Sequence, residues 1–279
     1  MVNVMPSYLA RVFYLGDNFH GSQAQPGLRT VQGELISAVS QWSGEFHSTN
    51  SIRLSGRTDR GVHSIGQLVM VTTNQQRFDL NAINKHLPSD ICLWASTQVL
   101  EQFSPRYDVL MRHYRYVLTD ASDLDVVSMR QGAQVLCGFH DFRYLSKRDG
   151  NRSTFTTLLN IALTPLNDVL VIDVYGTSFL WKLVRKIVSV LALVGKHEIS
   201  LTTLRDLVEC RATLASGIRP APPECLFLIE AIVPFKLQTH KYAMRRVRRY
   251  LSQRIGYLHR ALASLSAIFG ATGSQWPLS

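Results

Sequence analysis

Apolar residues along this chain follow two kinds of pattern. Some form short continuous or alternating runs; others recur every three or four positions over longer stretches. Residues 9–16, LARVFYLG, read as a strand that ends in a turn at GDNFHG. Residues 30–44, TVQGELISAVSQWSG, read as a helix: Val31, Leu35 and Val39 share one face, and Thr30 with Gly33 and Glu34 suits its start. Ile52 to Leu54 form a short strand, IGQLVMVTT a longer one, DLNAINKHLP a second helix and ICLWASTQV a further strand. This order of strand, helix, strand, strand, helix, strand is the split βαβ arrangement, a sheet with helices on one face.

The second half repeats the theme less cleanly. EQFSPRYDVLMR, residues 101–112, is polar enough to be a link. HYRYVLT then reads as a strand, residues 124–136 as a helix and DVLVIDVYG as a strand. TSFLWKLVRKIVSVLALVG carries the strongest helical pattern, with Thr177 or Ser178 as its cap and Gly195 at its end. LTTLRDLVEC is a further helix and CLFLIEAIV a closing strand. Two such units in tandem imply a cleft between them, a usual place for a site. From Lys241 onward, Met244, Leu251, Leu258 and Leu265 are spaced by seven, with Ile255, Leu262 and Phe269 as a companion row. That is an amphipathic helix interrupted at Gly256, whose apolar seam packs on the body or on a second copy.

Composition narrows the class. The 279 residues are 46% hydrophobic and 18% charged, which reads as globular and not disordered. No apolar run is long enough to span a bilayer, and the opening residues lack the features of a secretory leader, so the expected location is the cytoplasm. Cys92, Cys137, Cys210 and Cys225 are scattered without zinc-type spacing and are expected to be reduced thiols. The net charge is +10, but eight uncompensated Lys or Arg lie beyond residue 234, leaving only two of those charges for residues 1–234. A polyanionic partner is implied, met by the tail and by local clusters on a nearly balanced body.

The nine histidines show no HxxxH or HExxH spacing, and the chain has no GxGxxG, GxxxxGK[ST] or GxSxG. Neither a catalytic metal nor a cofactor is expected, which leaves acid–base or nucleophilic chemistry by side chains. The best candidate is SGRTDRGVHSIGQ, residues 55–67. Gly56 and Gly61 allow a sharp turn and a close approach of substrate. Arg57 and Arg60 flank Asp59 and favour its carboxylate, and arginine also binds phosphate in a bidentate fashion. The residues by themselves also fit a plain polar turn in which Asp59 caps an amide.

Neighbouring segments change that balance. The chain resembles the TruA family of tRNA pseudouridine synthases in five ordered segments: YLGDNFHGSQAQPGLRTVQGEL (14–35), SGRTDRGVHSIGQ, FSPRYDVLMRHYRY (103–116), FLWKLVRKIV and APPECLFL (221–228). Arg60 stands where many bacterial members have a small residue, so the chain looks closer to archaeal members. The resemblance implies a pseudouridine synthase fold of class α/β (α+β). In it, two ferredoxin-like split βαβ units, residues 1–100 and 101–234, form a central, mostly antiparallel sheet with flanking helices and a cleft. Residues 235–279 follow as a basic helical tail.

The implied reaction converts uridine to pseudouridine at positions 38–40 of the tRNA anticodon arm, without a cofactor, in a cytoplasmic homodimer that holds tRNA across both subunits. By the match, Asp59 is the catalytic aspartate, taken as the nucleophile; that its carboxylate adds to the base, adds to the sugar or serves as a base are all open from the sequence. Tyr114 faces the base, and Arg185 pairs with the aspartate. Arg57, Arg60 and Tyr114 are the substrate-binding candidates. The helix gives Arg185 independent support: it sits at the edge of a wide apolar face, and a buried arginine needs a carboxylate partner. His63 reads as a structural imidazole, and Phe19, His20 and Gln23 as RNA contacts or shapers of the first turn. The loop SKRDGNRS, 146–153, reads as basic and solvated or lying over the RNA backbone. Ser64, Ser189 and Cys225 depart from the family's alanine, glycine and glycine, and Cys225 is the one placed to narrow the pocket. The rival readings are an RNA-binding or RNA-folding protein without turnover, and the same isomerisation at a different RNA site.

Overall fold

The computed structural model describes residues 5–119 and 121–271, with side chains described as far as Ile268. The N-terminal elements are β1 (Ser7–Tyr14), α1 (Val31–Ser43), β2 (Ile52–Leu54), β3 (His63–Thr72), α2 (Leu80–His86) and β4 (Ile91–Val99). Thr30 caps α1 by accepting from the Gly33 amide, and Gly44 ends it in the left-handed region at φ +72°. The next elements are β5 (Met111–Leu118), α3 (Val126–Leu136), β6 (Gly138–Asp141), β7 (Phe155–Leu166), β8 (Val169–Gly176), α4 (Leu183–Gly195), α5 (Leu201–Val208) and β9 (Leu226–Ile232). The short β10 (Gln238–Thr239) and the long α6 (Lys241–Ala271) complete the order.

All the strands join one sheet in the order β10-β4-β1-β3-β9-β5-β8-β7-β6, with β2 added beside β3. Every pairing is antiparallel except the short parallel contact of β3 with β9. This is the mostly antiparallel α/β sheet expected from the chain. Across its middle, Tyr14 faces Ser64, Ser64 faces Leu228, and Leu228 faces Tyr114, so these four residues share one face. On that face α1 and α2 bury Val31, Leu35, Ala38, Val39, Leu80 and Ile83 against β1–β4. There too α3, α4 and α5 bury a larger core against β5 and β7–β9.

Elements β6, β7, α4 and α6 differ from expectation. β6 and β7 carry no clean alternation: β7 has a register shift between Leu158 and Asn160, so Leu158 and Ile161 both point inward while Leu159 lies exposed. Helix α4 starts at Leu183, six residues after the expected Thr177 cap, because Lys182 takes φ +65° and breaks the run. Ser178 instead meets Thr156, with 2.8 Å between hydroxyls.

Helix α6 runs straight through Gly256, and its seam is offset from the expected one. Ala243 and Val247, with Tyr250 and Leu251, pack on Phe13, Leu15 and Cys92, on the face opposite the other helices. Ile255, Leu258, Leu262 and Leu265 are exposed, and the side chain of Phe269 lies outside the described residues. Two of the tail's arginines serve docking: Arg246 donates to the carbonyls of Asn84, Leu87 and Pro88, and Arg254 pairs with Asp17. No helix among the described residues is long and apolar enough to cross a membrane.

The β3–β9 seam depends on close backbone approach. A Cβ at Gly66 would lie 2.4 Å from the Ile229 carbonyl oxygen and 3.0 Å from the Glu230 Cα, both backbone atoms that cannot swing aside. Gly66→Ala is therefore expected to cost about 1–3 kcal/mol of folding stability. Gly56→Ala, whose Cβ would meet only Arg112 Nε at 3.7 Å, costs less. Thermal denaturation of the two variants checks this, and a Gly66→Ala protein as stable as wild type contradicts it.

Candidate active site

The stretch from Ser55 to Val62 leaves β2, turns above the middle of the sheet and enters β3. It is pinned from all sides. Thr58 donates its amide to Ser22 Oγ (2.8 Å), accepts from the Ser22 amide, and its hydroxyl meets the Tyr14 hydroxyl at 2.8 Å. Gln67 donates to the Gly56 carbonyl and accepts from Ser55 Oγ. Asp59's carbonyl accepts from the Val62 amide, closing the turn, and Gly61 supplies φ +84° against Pro223. Gly56 takes no positive φ, so only one of the two glycines is needed for the bend.

Asp59 projects from this rigid loop to two donors. Arg185 Nη1 donates to Oδ2 at 2.8 Å and Trp181 Nε1 to Oδ1 at 2.9 Å. The ion pair is largely withdrawn from water, its side chains 13% and 22% exposed. Arg185 is fixed in turn by Ala221: its Nε donates to the Ala221 carbonyl, and its own carbonyl accepts from the Ala221 amide. Ser189, in the place of a family glycine, also donates to the Arg185 carbonyl at 3.1 Å. The structure thus brings together two of the residues expected from sequence, and adds Trp181.

Tyr114 lies on the floor, buried, edge-on to Phe179 at 4.9 Å. Burial pushes its phenol up to about 12, helped by the Asp59 charge and opposed by Arg112. A phenolate is therefore scarce at neutral pH; the group offers a ring face and an O–H donor. Below it Arg112, buried and with burial pulling its pKa down, donates to the carbonyls of Ser55, Arg106 and Thr177. Those bonds tie the Asp59 loop to the segment leading into α4. Neither Arg112 nor Trp181 was singled out from sequence as a site residue, although both lie in the motif segments quoted above.

Arg57 and Arg60 do not hold Asp59; both side chains are exposed. Arg57 meets Asp149 of the 146–153 loop at 3.6 Å. Lys186 donates to the carbonyls of Tyr144 and Ser146 where that loop begins. Phe19 is buried edge-on to Tyr14 and shapes the first turn, His20 is half-buried, and Gln23 is exposed. Ser64's hydroxyl links β3 to β9 through the Leu228 carbonyl. Cys225 packs at the edge of the larger core, beside Tyr116. Among the described residues no group of three or more His, Cys, Asp or Glu could hold a metal ion.

His63 is structural: Nδ1 accepts from the Gly16 amide (2.9 Å) and Nε2 meets the Glu224 carbonyl (2.8 Å), which fixes a neutral Nε2–H ring. Burial lowers its pKa below the usual value. The unfolded chain then takes up the proton more readily, so the stability held by neutral His63 is present above about pH 6.5 and is lost as pH falls through the lowered folded value. Unfolding free energies measured from pH 7.5 to 5 should fall for wild type and fall less for His63→Gln; equal slopes contradict this.

Comparison with known proteins bears on the site. The family described as tRNA pseudouridine synthase matches residues 133–233, a span that includes Arg185 and Ala221. The tRNA pseudouridine synthase A of Methanothermobacter thermautotrophicus is 36% identical over 240 residues, 85% of this chain and 85% of that protein. That of Methanosarcina acetivorans is 35% identical over 259 residues, 91% of this chain and 95% of that protein. That of Archaeoglobus fulgidus is 32% identical over 271 residues, 96% and 99% of the two chains.

Proposed function

Because this chain belongs to the tRNA pseudouridine synthase family, we propose that it isomerises uridine at positions 38–40 of the tRNA anticodon arm, with Asp59 as the nucleophile. The observation that carries the reading is the Asp59 carboxylate, held by one donor on each oxygen above a buried aromatic floor. Such a carboxylate is oriented before substrate arrives, which reduces the entropic part of the barrier.

The isomerisation balances within the nucleotide. The N1–C1′ bond breaks, the uracil turns, the C5–C1′ bond forms, and C5 gives up its proton while N1 ends protonated. No oxidant, reductant or second substrate enters. Asp59 adds to the base or the sugar and is released at the end, so the carboxylate is regenerated. The base must first leave the stack, at a cost of a few kcal/mol that contacts in the site offset. Tyr114 supplies a ring against which the turned base can lie, and its neutral hydroxyl favours donation over proton abstraction. Arg57 and Arg60, exposed on the loop that carries Asp59, suit contact with RNA phosphates. For Arg57 a phosphate would replace Asp149.

The exposed cations Lys241, Arg245, Arg248 and Arg249 on α6 extend the basic surface. The reading includes a homodimer across which the tRNA lies. The exposed apolar row on α6 favours association of two copies.

Base-resolved mapping of pseudouridine on unmodified tRNA tests the reading. Wild type is expected to convert uridines in the anticodon arm. Asp59→Asn keeps the shape but removes the nucleophile and one of the two acceptors that meet Trp181 and Arg185, and should bind tRNA within about threefold of wild type while forming no product. Wild type that binds without product overturns the reaction; product from Asp59→Asn overturns the nucleophile; product elsewhere in the tRNA overturns the site.

A further inference from the structure

Trp181 lies in the turn before α4, immediately ahead of the Lys182 residue whose left-handed backbone starts the helix. The residue is 41% exposed, so its side chain sits between the carboxylate and solvent. Two sets of contacts hold it. Inward, the indole N–H donates to Asp59 Oδ1, while Arg185 serves Oδ2. Outward, the Lys147 ammonium sits 4.0 Å from the ring centroid, and the Lys147 amide donates to the Trp181 carbonyl at 2.8 Å.

The consequence is geometric. A carboxylate with a donor on only one oxygen can swing about the bond to its own Cβ. With one donor on each oxygen, any such rotation breaks a bond. Indole is the aromatic ring suited to this, since its N–H is a donor only and cannot compete for the proton of a substrate. Resting on the reading of Asp59 as nucleophile, we propose that Trp181 is a positioning residue. Its N–H fixes the rotation of the Asp59 carboxylate, and Lys147 of the 146–153 loop holds the ring in place. The same loop is anchored by Lys186 at its start and reaches Arg57 through Asp149. It therefore spans the two sides of Asp59, and its docking is tied to the order of the carboxylate.

Single-turnover and steady-state kinetics on unmodified tRNA test this. Trp181→Phe keeps the ring and the cation above it but loses the donor, so kcat should fall about 10- to 100-fold with KM within about twofold of wild type. Trp181→His restores a ring N–H and should recover part of the lost kcat. Lys147→Met, which leaves Asp59 untouched, should lower kcat by less than Trp181→Phe does. An unimpaired Trp181→Phe, a loss confined to KM, or Phe and His variants equally impaired would each overturn the role of Trp181. Wild type that forms no product would overturn the reaction itself, a different outcome from wild type turning over beside an unimpaired Trp181→Phe. Thermal unfolding of each variant accompanies the kinetics; if the Phe variant fails to fold, the split between Trp181→His and Lys147→Met decides, and equal kcat in those two and wild type overturns the proposal.

Discussion

One ion pair, Asp59 with Arg185, governs how the site is built. Asp59 comes from a loop of the first half of the chain and Arg185 from a helix of the second. Withdrawing two charges from water is costly, and the cost is recovered only when geometry is good and the remaining hydrogen-bonding positions are filled. Both conditions are met. Ala221 engages Arg185 through its amide and its carbonyl, and Trp181 takes the second Asp59 oxygen. Without Arg185 the carboxylate would face the buried Tyr114 ring and the exposed Trp181; without Asp59 the guanidinium would keep only a backbone carbonyl.

Around that pair the backbone is unusually constrained. The two halves of the sheet meet through only a short parallel contact of β3 and β9, reinforced by His63 on Glu224, Ser64 on Leu228 and Arg11 on Glu230. Arg112 binds three carbonyls from three segments beneath the site, so the loop, the link and the start of the helical segment move as one. A site assembled across such a junction holds its geometry only if both sides are anchored. Here the anchors are buried polar groups whose partners are almost all backbone atoms, which have little freedom to rearrange.

Much of the fold could be read along the chain. Apolar periodicity places α1, β3 and β4 within one or two residues, and Thr30 and Gly44 mark the ends of α1 because capping is a local matter. What escaped is non-local. The register shift in β7 spoils its alternation, the reversed backbone at Lys182 hides in an otherwise helical pattern, and the α6 residues that dock, Ala243, Val247 and Tyr250, lie on a row offset from the expected one, against Phe13, Leu15 and Cys92. In the site, Asp59 and Arg185 were legible from motif and helix face. Trp181 and Arg112 were not, because nothing local distinguishes an indole aimed at a carboxylate 122 positions away from one packed in a core. The flanking arginines misled for the same reason: proximity in sequence placed them at Asp59, whereas Arg57 turns to Asp149.

The site depends on Asp59 and Arg185 acting as one unit. A double-mutant cycle of Asp59→Asn and Arg185→Met, read as unfolding free energy in denaturant at moderate ionic strength, measures that directly. The pair is expected to show a coupling of about 1–3 kcal/mol that changes little with added salt, since it is largely shielded from solvent. Effects of the two substitutions that simply add, or a coupling that salt abolishes, would contradict it.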